Sequence, residues 1–267
     1  MQFYPFARRL LALALTAAFM TTAALSGFAV YAMPIQAAYP QESIYLFDAD
    51  TGEALVEQNP DLPRCVASLT KMMTALLLLE SGKDLNGEVT VPTDLTQEFK
   101  DIQNANGTTM GLRIGETVRR IDLLNALLIT SANDAASVIA WDVGGSLNAF
   151  IQQMNARAAE LGCTSATFTC AHGLYDYGNV ASAEDMAKIA AACAANETFA
   201  QVAGSTTYTL GQTNFHSEQR TISSSNPLMD ASGAYYKDSV KWVKGGFTTL
   251  AGRCDVQIAL AQDDVGA

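Results

Sequence analysis

Ala67-Ser68-Leu69-Thr70-Lys71-Met72-Met73-Thr74-Ala75-Leu76-Leu77-Leu78-Leu79-Glu80 is the stretch on which the reading of this chain turns. The pattern predicts a helix over Ser68 to Glu80, with Ser68 able to cap it and Gly82 placed to end it. Leu69, Met72, Met73 and Leu76 to Leu79 make that helix apolar on nearly every side, as a helix at the centre of a fold must be. Two polar side chains stand out at its start. Residues three apart share a helix face, so the Ser68 hydroxyl and the Lys71 amine can meet. A lysine in hydrogen-bond reach of a serine can serve as base for a nucleophile. A Ser-x-x-Lys spacing turns up about once by chance in a chain of this size, so its weight comes from the helix that carries it.

Outward from this helix, Ser43 to Phe47 and Ala54 to Glu57 read as short strands around Asp48-Ala49-Asp50-Thr51-Gly52. The acidic spacing there superficially resembles a calcium loop, but the later ligands and the closing acid are missing, so a hairpin turn is expected. After the central helix come a polar loop with Gly107, Gly111 and Gly115, a helix from about Thr117 to Ile129, and another from about Asp134 to Val143. Ser146 is placed to cap a helix ending at Gly162, and Ser182, with Asp185 three residues on, one through about Ala195. The remainder returns to strands at Thr206 to Leu210, Gln219 to Ser223, Ser239 to Lys244 and Cys254 to Ala261. Strands first, helices in the middle and strands last predict a mixed α/β fold. Its antiparallel sheet joins distant parts of the chain, with a mostly helical subdomain, about residues 85 to 200, inserted between them.

The chain has 267 residues, 49% of them hydrophobic and 16% charged, which suits a compact core and excludes a disordered or low-complexity chain. Lys and Arg total 16 against 27 Asp and Glu, a formal charge of −11. Seven scattered lysines do not supply the basic face a nucleic-acid binder needs. With only His172 and His216, a multi-histidine metal site is excluded, and no metal or cofactor is expected. Cys65, Cys163, Cys170, Cys193 and Cys254 are odd in number and form no Cys-x-x-Cys. Small buried side chains are expected, with a Cys163–Cys170 loop closure as the alternative.

Arg8 and Arg9 precede an uncharged apolar run from Leu10 to Val30, followed by Tyr31-Ala32. A basic start, an apolar stretch and a small-residue exit describe a secretory signal over residues 1–32. The long apolar run leaves an uncleaved membrane anchor as the competing reading, and any membrane contact would come through this segment. Its removal takes two arginines and no acid, so the charge moves from −11 to −13. An exported, acidic protein of the cell envelope is expected, its folded domain spanning residues 40–267.

Two further motifs accompany Ser68 and Lys71. Ser131-Ala132-Asn133-Asp134 lies between two predicted helices. Ser-x-Asn also occurs at Ser146 and Ser224, but Ser146 has a capping role and Ser224 sits in a Ser-rich turn before Pro227. Lys244-Gly245-Gly246-Phe247-Thr248 stands at the end of a predicted strand, where glycines after a cation let a ligand approach the backbone.

In this order the three pieces resemble the active-site-serine penicillin-recognising enzymes: Ser-x-x-Lys, Ser-x-Asn, Lys-Thr-Gly. Matching stretches from Ile44 to Leu55, Leu123 to Ala136, Leu161-Gly162 through His172-Gly173-Leu174, and Ala251 to Cys254 narrow this. They are similar to the D-alanyl-D-alanine carboxypeptidases, the small penicillin-binding proteins. The resemblance spans nearly all of residues 42 to 261. It implies a β-lactamase-like fold and a substrate of peptidoglycan stem peptides ending in D-Ala-D-Ala, with β-lactams as acylating partners. It also implies that Ser68 is the nucleophile and Lys71 its base, while Ser131 relays a proton to the departing D-alanine. Asn133 would hold substrate backbone and Lys71, and Lys244 would face the terminal carboxylate. Gly246 would lie in the binding strand, and the oxyanion would sit between the N–H groups of Ser68 and Phe247. His172 would be structural.

Two departures mark the chain. The motif threonine is Gly245, and a glycine usual two residues before the lysine is Trp242. The family usually continues past the last strand seen here, so either a truncated copy or an incomplete sheet with an exposed edge is expected. Two rival readings follow: a relic that binds peptidoglycan without turnover, and a class A-like β-lactamase. The second needs a deacylating glutamate, and no Glu-x-x-Leu-Asn occurs between Ser146 and Lys244. A Ser-His-Asp hydrolase lacks its Gly-x-Ser-x-Gly.

Overall fold

The computed structural model describes residues 40–174 and 178–261, and the expected signal segment, residues 1–32, lies outside them. Residues Tyr39–Ala267 form one compact unit. The chain enters through the antiparallel hairpin β1 (Ile44–Phe47) and β2 (Ala54–Gln58). The Asp48 side chain closes the turn between them: its Oδ1 accepts from the N–H groups of Asp50 and Thr51 at 2.8 and 3.0 Å. Those bonds hold the Asp48 carboxyl below its ordinary pKa.

Strand β3 (Arg64–Cys65) leads into a tight 3₁₀ turn, Ala67–Leu69, and then α1 (Thr70–Glu80). Ser68 does not cap this helix. It lies inside the turn, no side chain makes the capping bond, and its hydroxyl is left facing Lys71. The apolar girdle acts as expected: Met72, Met73 and Ala75 are fully buried, and each Met side chain contributes roughly 1.5–3 kcal/mol by leaving water.

Strand β4 (Glu88–Thr90) pairs with β5 (Thr117–Arg119), and α2 (Thr96–Asn104) fills what the sequence reads as a polar loop. Leu95, Phe99 and Ile102 explain that helix. They recur at intervals of four and three, and Leu95 and Ile102 are buried. The helix expected from Thr117 starts only at Arg120 because its first three residues are strand β5. The following helices are α3 (Arg120–Ile129), α4 (Asn133–Gly144) and α5 (Leu147–Glu160). Ser146 caps α5 through the Ala149 N–H. Strand β6 (Val180–Ala181) pairs with β3, Ser182 caps α6 (Ala183–Ala194), and Asn196 caps α7 (Glu197–Ala203), which the sequence reading did not anticipate. Helix α1 packs against α3, α4, α5, α6 and α7. It is the axis of the fold.

Strands β7 (Thr207–Leu210) and β8 (Arg220–Ser223) form a hairpin, as do β9 (Val240–Thr248) and β10 (Gly252–Ala259). β9 runs four residues beyond its expected end, so Lys244-Gly245-Gly246-Phe247 lies within a strand, paired in order with Val256, Asp255, Cys254 and Arg253. The antiparallel pairing is as expected, but it is divided among two-stranded ladders. β1–β2 and β9–β10 both rest on α6, and no strand of one is hydrogen-bonded to a strand of the other. Trp242 fills the core under β9, 1% exposed, its ring edge-on to Phe199 at 5.3 Å. Of the five cysteines only Cys193 is buried. The others are half-buried, and all five are free thiols.

Candidate active site

The turn Ala67–Leu69 brings Ser68 to the point where α1, the start of α4 and strand β9 converge. Lys71 Nζ lies 2.9 Å from Ser68 Oγ, 2.8 Å from Asn133 Oδ1 and 2.7 Å from the carbonyl oxygen of His172. The lysine is 0% exposed, and no carboxylate forms an ion pair with it among the described residues. Burial, reinforced by the charge of Lys244, holds its pKa well below the ordinary lysine value. A neutral amine has two hydrogens and one lone pair. With both hydrogens donated to Asn133 Oδ1 and the His172 carbonyl, the lone pair is left for the Ser68 hydroxyl. This arrangement can take a proton from Ser68.

Opposite this group, Lys244 Nζ donates to Ser131 Oγ at 3.1 Å and to the Gly245 carbonyl at 2.7 Å. Burial lowers the Lys244 pKa to about 8. Asp255, across the ladder from Gly245, is pushed up to about 6 by burial, against the pull of Lys244. Asn133 is locked in place by its own amide: Nδ2 donates to the Thr108 carbonyl at 2.9 Å. Asp134 accepts from the backbone N–H groups of Met110, Gly111 and Leu112, which ties α4 to the preceding loop.

The backbone carries strain at the two serines. Ala67, just before Ser68, has φ +47°, and Ser131 has φ +62°, a region that residues other than Gly, Asn and Asp rarely adopt. Two glycines make the close packing possible. A Cβ on Gly246 would lie 2.8 Å from the Ser68 backbone nitrogen. A Cβ on Gly173, at φ +78°, would run into the Ala67 carbonyl. Gly245 is different: the nearest atom to its Cβ position is Asp255 Oδ1 at 3.6 Å, so a side chain fits there.

The structure therefore brings Ser68, Lys71, Ser131, Asn133, Lys244 and Gly246 together. Phe247 follows on the same strand, with its ring turned outward and 68% exposed. Sequence reasoning missed the His172 carbonyl as a partner of Lys71. Backbone acceptors have no sequence signature; the only pointer was the position of His172 beside Gly173, where the chain must approach Ala67 closely. A cavity of about 670 Å³ lies alongside, lined by Phe99, Ile102, Arg113 and Asp134 among others, but by none of the polar groups around Ser68.

A serine with a buried lysine behind it and a second serine–lysine pair facing it defines the active-site-serine acyl-transfer class. The chain belongs to the D-alanyl-D-alanine carboxypeptidase family, whose model matches residues 32–265. It is 28% identical over 214 residues to the D-alanyl-D-alanine endopeptidase of Escherichia coli K12, covering 79% of this chain and 64% of that protein. It is 31% identical over 185 residues to D-alanyl-D-alanine carboxypeptidase DacF of Bacillus subtilis, covering 68% of this chain and 47% of that one. The chain spans between about half and just under two thirds of the length of these relatives. Among solved structures, the Streptomyces K15 DD-transpeptidase superposes with a TM-score of 0.73 at 27% identity, covering 81% of this chain and 84% of that one.

Proposed function

We propose that this protein is a serine-type D-alanyl-D-alanine carboxypeptidase that trims peptidoglycan stem peptides through an acyl-enzyme on Ser68. Ser68 Oγ attacks the carbonyl between the two terminal D-alanines while its proton passes to the neutral Lys71 amine. The peptide C–N bond breaks as Ser131, hydrogen-bonded to Lys244, relays the proton held by Lys71 to the nitrogen of the leaving D-alanine, which returns Lys71 to its neutral form. Water then hydrolyses the ester. The N–H groups of Ser68 and Phe247 receive the oxyanion, Asn133 holds substrate backbone, and Lys244 faces the terminal carboxylate. The carboxyl of a β-lactam takes the same place, so penicillin acylates the same serine. Its substrate places the protein outside the cytoplasmic membrane. No helix among the described residues is long and apolar enough to cross one.

The observation that carries this reading is Lys71: fully buried, with no ion-paired carboxylate among the described residues, and 2.9 Å from Ser68 Oγ. A fluorescent penicillin tests it. The adduct is expected on Ser68 by peptide mass spectrometry, and Ser68→Ala is expected to abolish labelling. An adduct on Ser131 or elsewhere overturns the mechanism. The missing hydroxyl at Gly245 favours a second reading, a relic that binds peptidoglycan without turning it over, which labelling of Ser68 together with D-alanine release excludes.

A further inference from the structure

The aim of the Lys71 lone pair depends on two acceptors that come from different parts of the fold. Asn133 Oδ1 stands at the first residue of α4, and the His172 carbonyl belongs to the loop before β6. One side chain touches both carriers. Glu98, on α2, accepts at Oε1 from Ser137 Oγ at 2.8 Å and meets His172 Nε2 at 2.9 Å. Ser137 stands one helical turn beyond Asn133 and also bonds the Asn133 carbonyl at 3.3 Å. His172 Nδ1 accepts from the Leu174 N–H at 3.0 Å, so the neutral ring carries its hydrogen on Nε2 and donates it to Glu98. The bond from His172 keeps the Glu98 carboxyl below its ordinary pKa, and the group stays an acceptor at neutral pH.

We propose that Glu98 is a positioning residue of the acylation reaction: by holding His172 and Ser137 on one oxygen, it fixes the two acceptors that direct the Lys71 lone pair at Ser68. The inference rests on the reading of Lys71 as base. Glu98 bonds Ser137 and His172 rather than Ser68 or Lys71, and its effect passes through these two carriers. Loss of this clamp leaves the binding surface of β9 untouched, so it acts on the chemical step and spares the preceding equilibrium.

The test is the kinetics of penicillin acylation in the full chain, resolved into the dissociation constant of the first complex and the acylation rate constant. A displacement of the order of an ångström at a reacting group costs roughly a hundredfold in rate. Glu98→Ala is therefore expected to slow acylation about 10- to 100-fold, with the dissociation constant and the final number of acylated sites unchanged. Glu98→Gln keeps an oxygen that accepts from both His172 and Ser137, and is expected to remain within about threefold of wild type. Ser137→Ala severs only the α4 arm and carries the test if Glu98→Ala does not fold; a drop of roughly three- to tenfold is expected. A wild-type acylation rate constant in Glu98→Ala, or an equal loss in Glu98→Ala and Glu98→Gln, overturns the assignment. If wild type itself is not acylated, the proposed function fails instead, and this inference with it.

Discussion

The two walls of the site are built on different principles. The helical wall, which delivers Ser68, Lys71 and Asn133, is packed on all sides and satisfied internally: Lys71 is 0% exposed and Asn133 3%. The β9–β10 wall is buried on the face that carries Trp242 and Lys244, whereas the other face runs from buried Val243 to exposed Phe247. On the helical wall a displaced atom has no water to replace its partner, so errors are costly. The strand wall meets solvent and has room at Gly245. The chemical step should therefore be intolerant of change where recognition is adjustable.

The sharpest break would come at Lys71. Arginine keeps the charge but cannot give up its proton. Removing a general base costs about 10²- to 10⁴-fold. Lys71→Arg is thus expected to acylate with penicillin at least a hundred times more slowly than wild type. The pH profile carries the same information. With its pKa well below the ordinary value, Lys71 becomes a base as pH rises, so acylation climbs with pH on that limb. Lys244 loses its proton near 8, and with it the attraction for a carboxylate, so kcat/KM should turn down above that value. A rising limb that survives in Lys71→Arg would remove lysine from the base role.

A smaller effect separates the two glycines of β9. At Gly246 a methyl group meets the Ser68 backbone nitrogen at 2.8 Å and Ala67 Cβ at 3.2 Å, atoms of the strained turn that carries Ser68. Gly246→Ala should slow acylation about a hundredfold by shifting that turn. It should also lower stability by about 1–3 kcal/mol through overpacking. Gly245→Ala meets nothing closer than 3.6 Å and should change acylation less than about twofold. Calorimetry and acylation rates on the two variants check the contrast. Equal losses would mean that the strand wall is as rigid as the helical one.

What the sequence reveals follows the same division. Ser68 and Lys71 are legible because one helical turn enforces their contact, whatever the rest of the fold does. Ser131, Asn133 and Lys244 become legible only when their order along the chain is compared with a known family, since loops and distant strands meet through tertiary packing alone. Glu98 is illegible for a further reason. Helix α2 has few apolar residues, and its Leu95, Phe99, Ile102 stripe is hidden among Gln, Asp, Glu and Lys, so the segment reads as loop and its carboxylate as solvated. The error at Thr117 is local too. Thr-Val-Arg has strand propensity, but the strand exists only because β4 lies opposite.

The gentlest test concerns Gly245 itself. A threonine there would add a hydroxyl beside Lys244, where a substrate's terminal carboxylate is expected. A hydrogen bond to a charged group contributes about 1.5–3 kcal/mol. At about 1.4 kcal/mol per factor of ten, that is roughly 10- to 150-fold in kcat/KM. Asp255 complicates the gain. Its Oδ1 lies 3.6 Å from the Cβ position and can take the new hydroxyl's hydrogen, and with a pKa of about 6 it is anionic at neutral pH and repels the incoming carboxylate. Gly245→Thr alone should thus give the lower end of the range, about tenfold. Gly245→Thr with Asp255→Ala should approach the upper end. The pair should be measured near pH 7, above the Asp255 value of about 6 so that its charge is present in the single variant, and below the Lys244 value of about 8, which losing Asp255 lowers further. Both gains should be confined to substrates with a free terminal carboxylate. Equal gains on a D-Ala-D-Ala peptide and on its C-terminal amide would place the carboxylate elsewhere. The adjustable wall would then be adjustable because no ligand group touches it.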